Sequence, residues 1–289
     1  MTQVIPFLKK QKKFTFFAVL ALIIIVIAIL APVLAPHDPY ESVLREAYQA
    51  PGSAHLCGTD AMGRDLFSRI LYGARISISS SFILVCIVLI IGTLLGMLAG
   101  FFGGMTDAVI MRVADTMIAF PDLILAIAIA GILGPNFVNS IIAIAAVSWT
   151  KYARIARSLV LKIKNREYIA AAITTGSGSA HILAAYMVPN ALPTMVITAV
   201  TDLGTIMLSL ASLSFLGFGV QPPTPEWGYM LSEGRMYMQT YPWLMIFPGL
   251  AIFVTVVVFN LLGDSLRDIL DPRSKKKHKR HSKRRKATK

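Results

Sequence analysis

The fold of this chain is decided by residues 166–193, which read Arg-Glu-Tyr-Ile-Ala-Ala-Ala-Ile-Thr-Thr-Gly-Ser-Gly-Ser-Ala-His-Ile-Leu-Ala-Ala-Tyr-Met-Val-Pro-Asn-Ala-Leu-Pro. They are the longest polar interruption of an otherwise apolar chain, and a basic run from Lys151 to Arg166 leads into them. Gly176 allows a sharp turn between two helical stretches, and the second stretch is predicted to end near Pro189 because the residue before a proline avoids the α conformation. The pattern predicts a helix-turn-helix knuckle that faces the cytosol.

The composition places this knuckle in an all-α integral membrane protein. Hydrophobic residues make up 55% of the chain, and charged residues make up 15%, well below the usual quarter. Stretches of this length and apolarity are predicted to cross a bilayer as helices. Six transmembrane helices are expected, at about residues 14–35, 76–102, 117–133, 137–147, 191–215 and 243–262.

Charge predicts the orientation of the spans. With both termini in the cytosol, and without the eleven lysines and arginines from Arg273 to Lys289, the inner segments hold twelve lysines and arginines and the outer segments hold five. The predicted organisation is a cytoplasmic N-terminus (1–13), an extracytoplasmic segment (36–75), a five-helix core (76–263) with a cytoplasmic loop (151–190), and a basic cytoplasmic tail (264–289). We expect the tail to lie disordered near anionic lipid headgroups, with nucleic acid as a less favoured alternative.

Two motifs belong to the predicted outer face. Gly58-Thr-Asp-Ala-Met-Gly-Arg-Asp65 suits a turn, and Asp65 is predicted to cap a helix that begins at Leu66. We interpret this motif as structural rather than as a ligand contact. Residues 221–228, Gln-Pro-Pro-Thr-Pro-Glu-Trp-Gly, are predicted to form a stiff connector without helix or strand, because they contain three prolines.

Inside the spans, four glycines spaced four residues apart predict a helix face that another backbone approaches closely: Gly92, Gly96, Gly100 and Gly104. Pro121 predicts a kink in the third span. The fourth helix is predicted to continue past Trp149 and Tyr152, which are expected at the membrane interface. It should lead into a basic face that anchors the inner membrane surface, formed by Lys151, Arg154, Arg157, Lys162, Lys164 and Arg166.

The residues quoted so far resemble a known family. Ala171 and Ala172, followed by Gly176 and the ending Tyr186-Met-Val-Pro189, resemble the Glu-Ala-Ala loop of permease subunits of bacterial ABC importers. The two outer motifs and the terminal stretch from Gly263 to Arg273 resemble the peptide and nickel branch of these permeases. The resemblance covers residues 14 to 273 and implies the six-helix type I ABC importer permease fold.

In that family the loop is the coupling helix, which seats in a groove on the ATP-hydrolysing subunit. The resemblance therefore implies a coupling role for Glu167, Tyr168, Ala170, Ala171, Ala172, Gly176, Ser177, His181 and Pro189. Ala170 stands where the family motif has a glutamate. Glu167, three residues earlier, is also typical of the family but does not occupy the same position.

Asp202 is the only carboxylate well inside a predicted span. An ionisable group at that depth is costly unless it faces a partner or a wet cavity, so we predict a place in the translocation pathway. The alternative is a structural hydrogen bond to a neighbouring helix that bears Ser or Thr. One carboxylate without His or Cys nearby cannot form a metal cage, and no metal site is predicted. Four other residues are interpreted as incidental: Cys57, Cys86, His278 and His281.

The chain carries no Gly-x-x-x-x-Gly-Lys-Ser/Thr motif, so it is predicted not to be an enzyme. No cofactor is expected in it. The resemblance implies a second permease subunit as heterodimer partner, two ATPase subunits that bind ATP and Mg, and an extracytoplasmic substrate-binding protein. The expected location is a bacterial cell membrane.

The substrate of the branch is a peptide, nickel or a metal chelate. The stretches Trp149-x-x-Tyr152-Ala-Arg154 and Asp202-Leu-Gly204 resemble the nickel side more closely, so nickel or a metal chelate is favoured over di- or oligopeptides. Two other classes stay open at this point. One is a proton-coupled secondary carrier that uses Asp202 as a relay, and the other is a membrane scaffold that acts through its basic tail.

Overall fold

The computed structural model describes residues 12–270. Most of these residues are helical, and none of them forms a β-strand apart from an isolated bridge between Thr59 and Asp65. The predictions for the first eleven residues and for the tail after residue 270 lie outside this range. The helices are α1 (Lys12–Ile29), α2 (Ala31–Leu34), α3 (Leu66–Phe102), α4 (Gly104–Ile118), α5 (Asp122–Leu133), α6 (Phe137–Lys164), α7 (Glu167–Thr174), α8 (Ser179–Ile182), α9 (Val188–Phe215), α10 (Trp227–Gly234) and α11 (Trp243–Leu270). Short 3-10 turns occupy Leu44–Glu46 and Arg235–Tyr237, and a π-helical turn, Leu183–Met187, joins α8 to α9.

By length and apolarity, four helical stretches in the described part of the chain can cross a membrane: α1, α3, α11 and the continuous stretch from α8 to α9. A fifth span results if α4 and α5, which meet at 96°, are counted together. The prediction of an all-α membrane fold is confirmed, whereas helix length and composition do not reproduce the count of six.

The second predicted span begins earlier than expected, at Leu66 instead of residue 76. Asp65 is the reason, because its carboxylate accepts a hydrogen bond from the backbone N–H of Ser68 at 2.8 Å and so caps the helix. The capping prediction is confirmed, and the last part of the predicted outer segment 36–75 is already helical.

The third predicted span, 117–133, is interrupted. Its first residues belong to α4, and the chain then turns at Pro121, which has an extended ψ of 127° and precedes α5. The predicted kink at Pro121 is therefore a break between two helices. A proline cannot supply the N–H that a continuous helix would need there.

The fourth predicted span, 137–147, is too short as predicted, since these residues rise only about 16 Å in a helix while the hydrocarbon core is about 30 Å thick. The structure resolves this by continuing α6 to Lys164, with Asn136 capping its start. The extension past Trp149 and Tyr152 is confirmed. Tyr152 is almost completely buried in the main hydrophobic core, and its location at the membrane interface stays a prediction.

Pro189 does not end the second helix of the knuckle, contrary to the prediction. It occupies the first turn of α9, and the helical path from Ser179 to Phe215 is unbroken. In an α-helix a proline clashes with the carbonyl four residues earlier. The π-helical turn just before it, in which the N–H of Val188 donates to the carbonyl of Leu183, widens the backbone at this point.

The proline-rich connector is only partly irregular, because α10 begins at Trp227 and corrects the prediction of no helix. Glu226 caps this helix by accepting from the N–H groups of Gly228 and Tyr229 and from the Ser77 hydroxyl. Burial raises the pKa of the Glu226 carboxyl above its usual range, and these hydrogen bonds oppose the shift.

The glycine face of α3 forms the closest packing with α6. The backbone of Gly92 meets Trp149 and Tyr152, that of Gly96 meets Ala153, and that of Gly100 meets Val160. The prediction is confirmed for these three glycines. Gly104 lies beyond the end of α3, with open space around it, and does not belong to the face.

Gly96→Ala is expected to destabilise the chain by about 1–3 kcal/mol, the range typical of overpacking. The reason is that the added methyl would overlap the carbonyl oxygen of Ala153. The matched control is Gly131→Ala in α5, where the methyl would meet the Phe218 ring at an ordinary 3.9 Å. Thermal unfolding of the purified chain in detergent measures both variants, and an equal melting temperature for Gly96→Ala and the parent would contradict the close approach.

Candidate functional site

The knuckle, residues 167–182, projects from the bundle and is held by a few buried apolar side chains. Ile169 on α7, Ile182 on α8 and Met187 in the π-helical turn are buried in the main hydrophobic core. Around them, the remaining side chains of α7 and α8 are exposed except that of Ala172. This arrangement fixes the knuckle to the bundle and leaves its outer surface exposed.

The turn of the knuckle is a Schellman motif centred on Gly176. Gly176 has a φ of +85°, its N–H donates to the carbonyl of Ile173, and the N–H of Ser177 donates to that of Ala172, both at 3.0 Å. Glycine adopts such a φ without steric penalty, which makes it the usual residue at this position of a helix end. The predicted turn at Gly176 is thus confirmed in its geometry.

Most of the predicted coupling residues lie together on the exposed surface of the knuckle. Exposed members are Glu167, Tyr168, Ala170, Ala171, Gly176 and His181, whereas Ser177 is half-buried and Ala172 is buried. Pro189 is exposed but lies beyond the knuckle, in α9. The Tyr168 and His181 rings approach the Tyr186 ring at 6.2 and 6.0 Å, so the two arms of the knuckle meet at this tyrosine.

Two ion pairs that the sequence did not reveal attach α4 to the basic half of α6. Arg157 binds the Asp107 carboxylate through two guanidinium nitrogens, and Arg154 binds Asp115. Both bases had been assigned to a basic face for the membrane surface. Asp107 and Asp115 are about two helical turns apart and therefore lie on one face of α4. This acidic face was the sequence signal that could have predicted a basic partner helix.

Asp202 on α9 forms an ion pair with Lys151 on α6. The Lys151 ammonium lies 2.7 and 2.9 Å from the two carboxylate oxygens, which are largely buried, while 57% of the lysine side chain is exposed on the surface of the chain. The sequence predicted a partner or a wet cavity for Asp202 but did not identify Lys151. The hydrogen-bond partner of Asp202 is therefore a lysine, and not the Ser or Thr of the alternative prediction.

A second charged cluster lies at the predicted outer end. The fully buried guanidinium of Arg69 contacts Asp60 and Glu233 at 3.3 Å and donates to the carbonyls of Pro39 and Pro223 at 3.2 Å. Arg64 joins the same two carboxylates. The motif 58–65 thereby binds α10 and both outer segments, which supports its structural interpretation.

Next to this cluster, three side chains with metal-binding chemistry meet at the start of α3. The Nδ1 atoms of His55 and His37 lie 2.8 and 3.7 Å from Oδ1 of Asp65. Sequence reasoning predicted no metal site, and the spacing of residues 37, 55 and 65 matches no local ligand motif. Only the fold brings them together.

Comparison with protein families assigns the chain. Residues 92–276 match the family described as binding-protein-dependent transport system inner membrane component, and residues 4–51 match the N-terminal transmembrane domain of oligopeptide transport permease C. The chain belongs to the first of these families. The knuckle, Gly176 and Asp202 all lie within the matched range.

Curated relatives match the permease over most of their length. The dipeptide transport system permease protein DppC of Alkalihalophilus pseudofirmus is 44% identical over 92% of this chain and 89% of its own. The nickel transport system permease protein NikC of Escherichia coli is 42% identical over 88% and 93%. The glutathione transport system permease protein GsiD of Pectobacterium atrosepticum is 44% identical over 88% and 85%.

Solved structures show the same fold. The methionine ABC transporter MetNI in inward-facing form contains a chain that matches 71% of the permease and 98% of its own length, with a TM-score of 0.56 and 18% identity. An amino acid ABC transporter with histidines matches 68% and 92%, with a TM-score of 0.50 and 15% identity. The type I importer permease fold implied by the sequence is confirmed.

The permease is therefore a transmembrane subunit of an ABC importer and not an enzyme. ATP hydrolysis belongs to partner ATPase subunits, and an importer of this family also works with a substrate-binding protein. Because the chain belongs to this family, the two other hypotheses drawn from the sequence, a proton-coupled carrier and a membrane scaffold, are not retained.

Gly176→Pro is expected to abolish uptake by the assembled importer while membrane insertion stays normal. Proline holds φ near −65° and removes the N–H that closes the Schellman motif, so the turn cannot form. Gly176→Ala, which costs about 1–2 kcal/mol of local stability in this backbone region, should reduce uptake less.

The matched control is Gly178→Ala, because Gly178 has a φ of −69° and open space around its Cα. Uptake of labelled substrate at equal expression measures all three variants. Normal uptake by Gly176→Pro would show that the turn is not needed for coupling.

Proposed function

We propose that the permease imports short peptides or peptide-like molecules. The observation that carries this proposal is the similarity to relatives named for dipeptide transport, among them those of Alkalihalophilus pseudofirmus and Haemophilus influenzae, at 44% and 43% identity. The preference for nickel or a metal chelate drawn from the sequence is not specifically supported by these relatives, most of which are named for dipeptide transport. It is kept as the second candidate because of the nickel permease relative at 42% identity.

The environment of Asp202 also favours a peptide over a bare cation. Both of its oxygens are engaged by the Lys151 ammonium, so its charge is neutralised. A cation in transit would have to displace a lysine that is held at hydrogen-bond distance. This ion pair can form hydrogen bonds with the polar groups of a passing peptide, whereas its carboxylate is not available as a metal ligand.

The depth of the ion pair supports a place in the translocation pathway. At the predicted outer end, the Ser140 hydroxyl on α6 donates to the carbonyl of Phe218 just after α9, at 2.7 Å. Lys151 follows Ser140 along α6 by about 16 Å, roughly half of the hydrocarbon thickness. In this proposal Lys151 lies within the span and not in the predicted cytoplasmic loop 151–190. A half-exposed ammonium at that depth is costly against lipid, so we assign it to a wet cavity or to a partner subunit.

The same reasoning supports an assembly of two permease subunits. We propose that a second, homologous subunit forms the other half of the pathway opposite the Lys151–Asp202 pair. Two ATPase subunits that bind ATP and Mg would dock at the knuckles, and the binding protein would deliver cargo at the outer end. The excess of positive charge near the knuckle supports N- and C-termini in the cytosol.

Coupling is proposed to run through one continuous helical rod. The second arm of the knuckle, α8, passes through the π-helical turn into α9 without a break. His181 and Asp202 are thus about 32 Å apart along a single helical path. When the ATPases close on ATP, a displacement of the knuckle would reach the ion pair directly, and hydrolysis would return it. Such a switch requires contacts that differ between the two states, and we assign them to the exposed surface around Tyr168 and His181.

Asp202→Asn and Lys151→Gln are each expected to lower uptake severalfold at equal expression, because each leaves a charge at membrane depth without its partner. The double exchange Lys151→Asp with Asp202→Lys should recover part of the loss by restoring the attraction. Asp122→Asn, on the exposed first turn of α5, is the control and should be neutral. Unchanged uptake in both single variants would leave the pair without a transport role.

The cargo is tested by uptake in cells with and without this chain. A labelled dipeptide and labelled nickel supplied with a chelator are compared at matched concentration. We expect only dipeptide uptake to fall when the chain is deleted. A fall in nickel uptake alone would overturn the peptide proposal and establish the second candidate.

A further inference from the structure

The geometry points to a divalent transition-metal site, of the zinc class, at the start of α3, formed by His37, His55 and Asp65. It concerns an ion that resides in the permease and not the cargo. It does not depend on the proposed substrate, and its residues lie at the predicted outer end, separate from the Lys151–Asp202 pair.

The three ligand atoms are arranged at nearly the spacing that zinc requires. They all lie within 4.8 Å of one another, with separations of 2.8 and 3.7 Å between the Nδ1 atoms of His55 and His37 and Oδ1 of Asp65. Ligands about 2.0–2.1 Å from a tetrahedral zinc ion lie about 3.3 Å apart. An ion between the three atoms requires the 2.8 Å separation to widen by about 0.5 Å, and we expect rotation of the two imidazoles to supply this change.

Neighbouring groups orient two of the three ligands. Oδ2 of Asp65 accepts hydrogen bonds from the N–H and the hydroxyl of Ser68, which directs Oδ1 toward the histidines. Nε2 of His55 faces Glu46 Oε2 at 3.6 Å. A carboxylate behind a ligating imidazole fixes its tautomer and raises its basicity, a common arrangement around metal ions.

Metal binding requires the ring proton of His55 to lie on Nε2, so that Nδ1 is free to bind the ion. Without an ion, His55 donates the hydrogen bond to Asp65 in the tautomer that carries its single proton on Nδ1. An ion at Nδ1 requires the other tautomer, in which this proton has moved to Nε2 and the N–H is directed at Glu46. The two carboxylates compensate the charge of a divalent cation, so the site carries no unpaired charge when filled.

Burial and exposure give the site both a rigid base and an entry path. Asp65 and His55 are 3% and 8% exposed, whereas the His37 side chain is 42% exposed and closes the site from solvent. Two imidazoles and one carboxylate are ligands that select zinc and its first-row neighbours over magnesium or calcium. A bound ion would connect the segment after α2, the loop at His55 and the start of α3.

The test measures zinc binding by the full-length chain in detergent, purified with a tag that contains no histidine. His278→Gln and His281→Gln are introduced in every sample to remove the tail histidines. Zinc chloride alone is titrated against a chromophoric chelator, and cobalt substitution reports ligand geometry through its visible absorption bands.

We expect one equivalent of zinc in this background and an affinity at least about tenfold weaker after His37→Gln. Because His37 is exposed, this change leaves folding intact, as its backbone N–H still donates to Ser68. Asp65→Asn should also lose the ion while it retains the helix cap, since asparagine caps as well as aspartate. His181→Gln and Cys57→Ser are the matched controls and should bind zinc normally.

Absence of stoichiometric zinc binding would overturn the site. So would binding that survives both His37→Gln and Asp65→Asn, or binding that disappears in either control. The hydrogen bond between His55 and Asp65 would then have a structural role alone.

Discussion

Close approach of α3 and α6 is the constraint on which the rest of the bundle depends. Three glycines without side chains bring the two backbones into contact, and Tyr152 fills the space beside Gly92. In lipid, where apolar burial between helices contributes little, such contact supplies the packing energy. The position of α6 then decides where its charged residues lie. Lys151 reaches Asp202 on α9, and the arginines further along reach the aspartates of α4.

The π-helical turn before Pro189 joins the knuckle to α9. A helix that ended at this proline would leave a break in the chain between the knuckle and the span. The widened turn instead accommodates the proline inside a continuous helix from Ser179 to Phe215. Short π-helical segments within α-helices are frequent at functional sites. The proposed transmission of a knuckle movement to Asp202 would therefore follow one helix without an intervening hinge.

At the other end, charge and capping hold the outer segments against the bundle. Arg69 is fully buried and connects both outer segments through Pro39, Pro223 and Glu233, with Asp60 as its nearest carboxylate in the motif 58–65. A buried guanidinium needs several partners, because an uncompensated charge in the interior is strongly destabilising. Asp65, five residues after Asp60, caps α3 and at the same time faces His37 and His55.

The sequence by itself determined the membrane class, the family, the glycine contact, the Asp65 cap and the turn at Gly176, because each depends on local composition or short spacing. It did not predict the burial of Tyr152, the complete helix break at Pro121 or the continuation of the helix through Pro189, because each depends on the surrounding structure. It predicted that Asp202 needs a partner and could not name Lys151, 51 residues away. Only the tertiary structure decided that pair, the network around Arg69 and the meeting of His37, His55 and Asp65. Such contacts join residues far apart in the chain, and their side chains meet only after helix packing has fixed the relative positions of the segments.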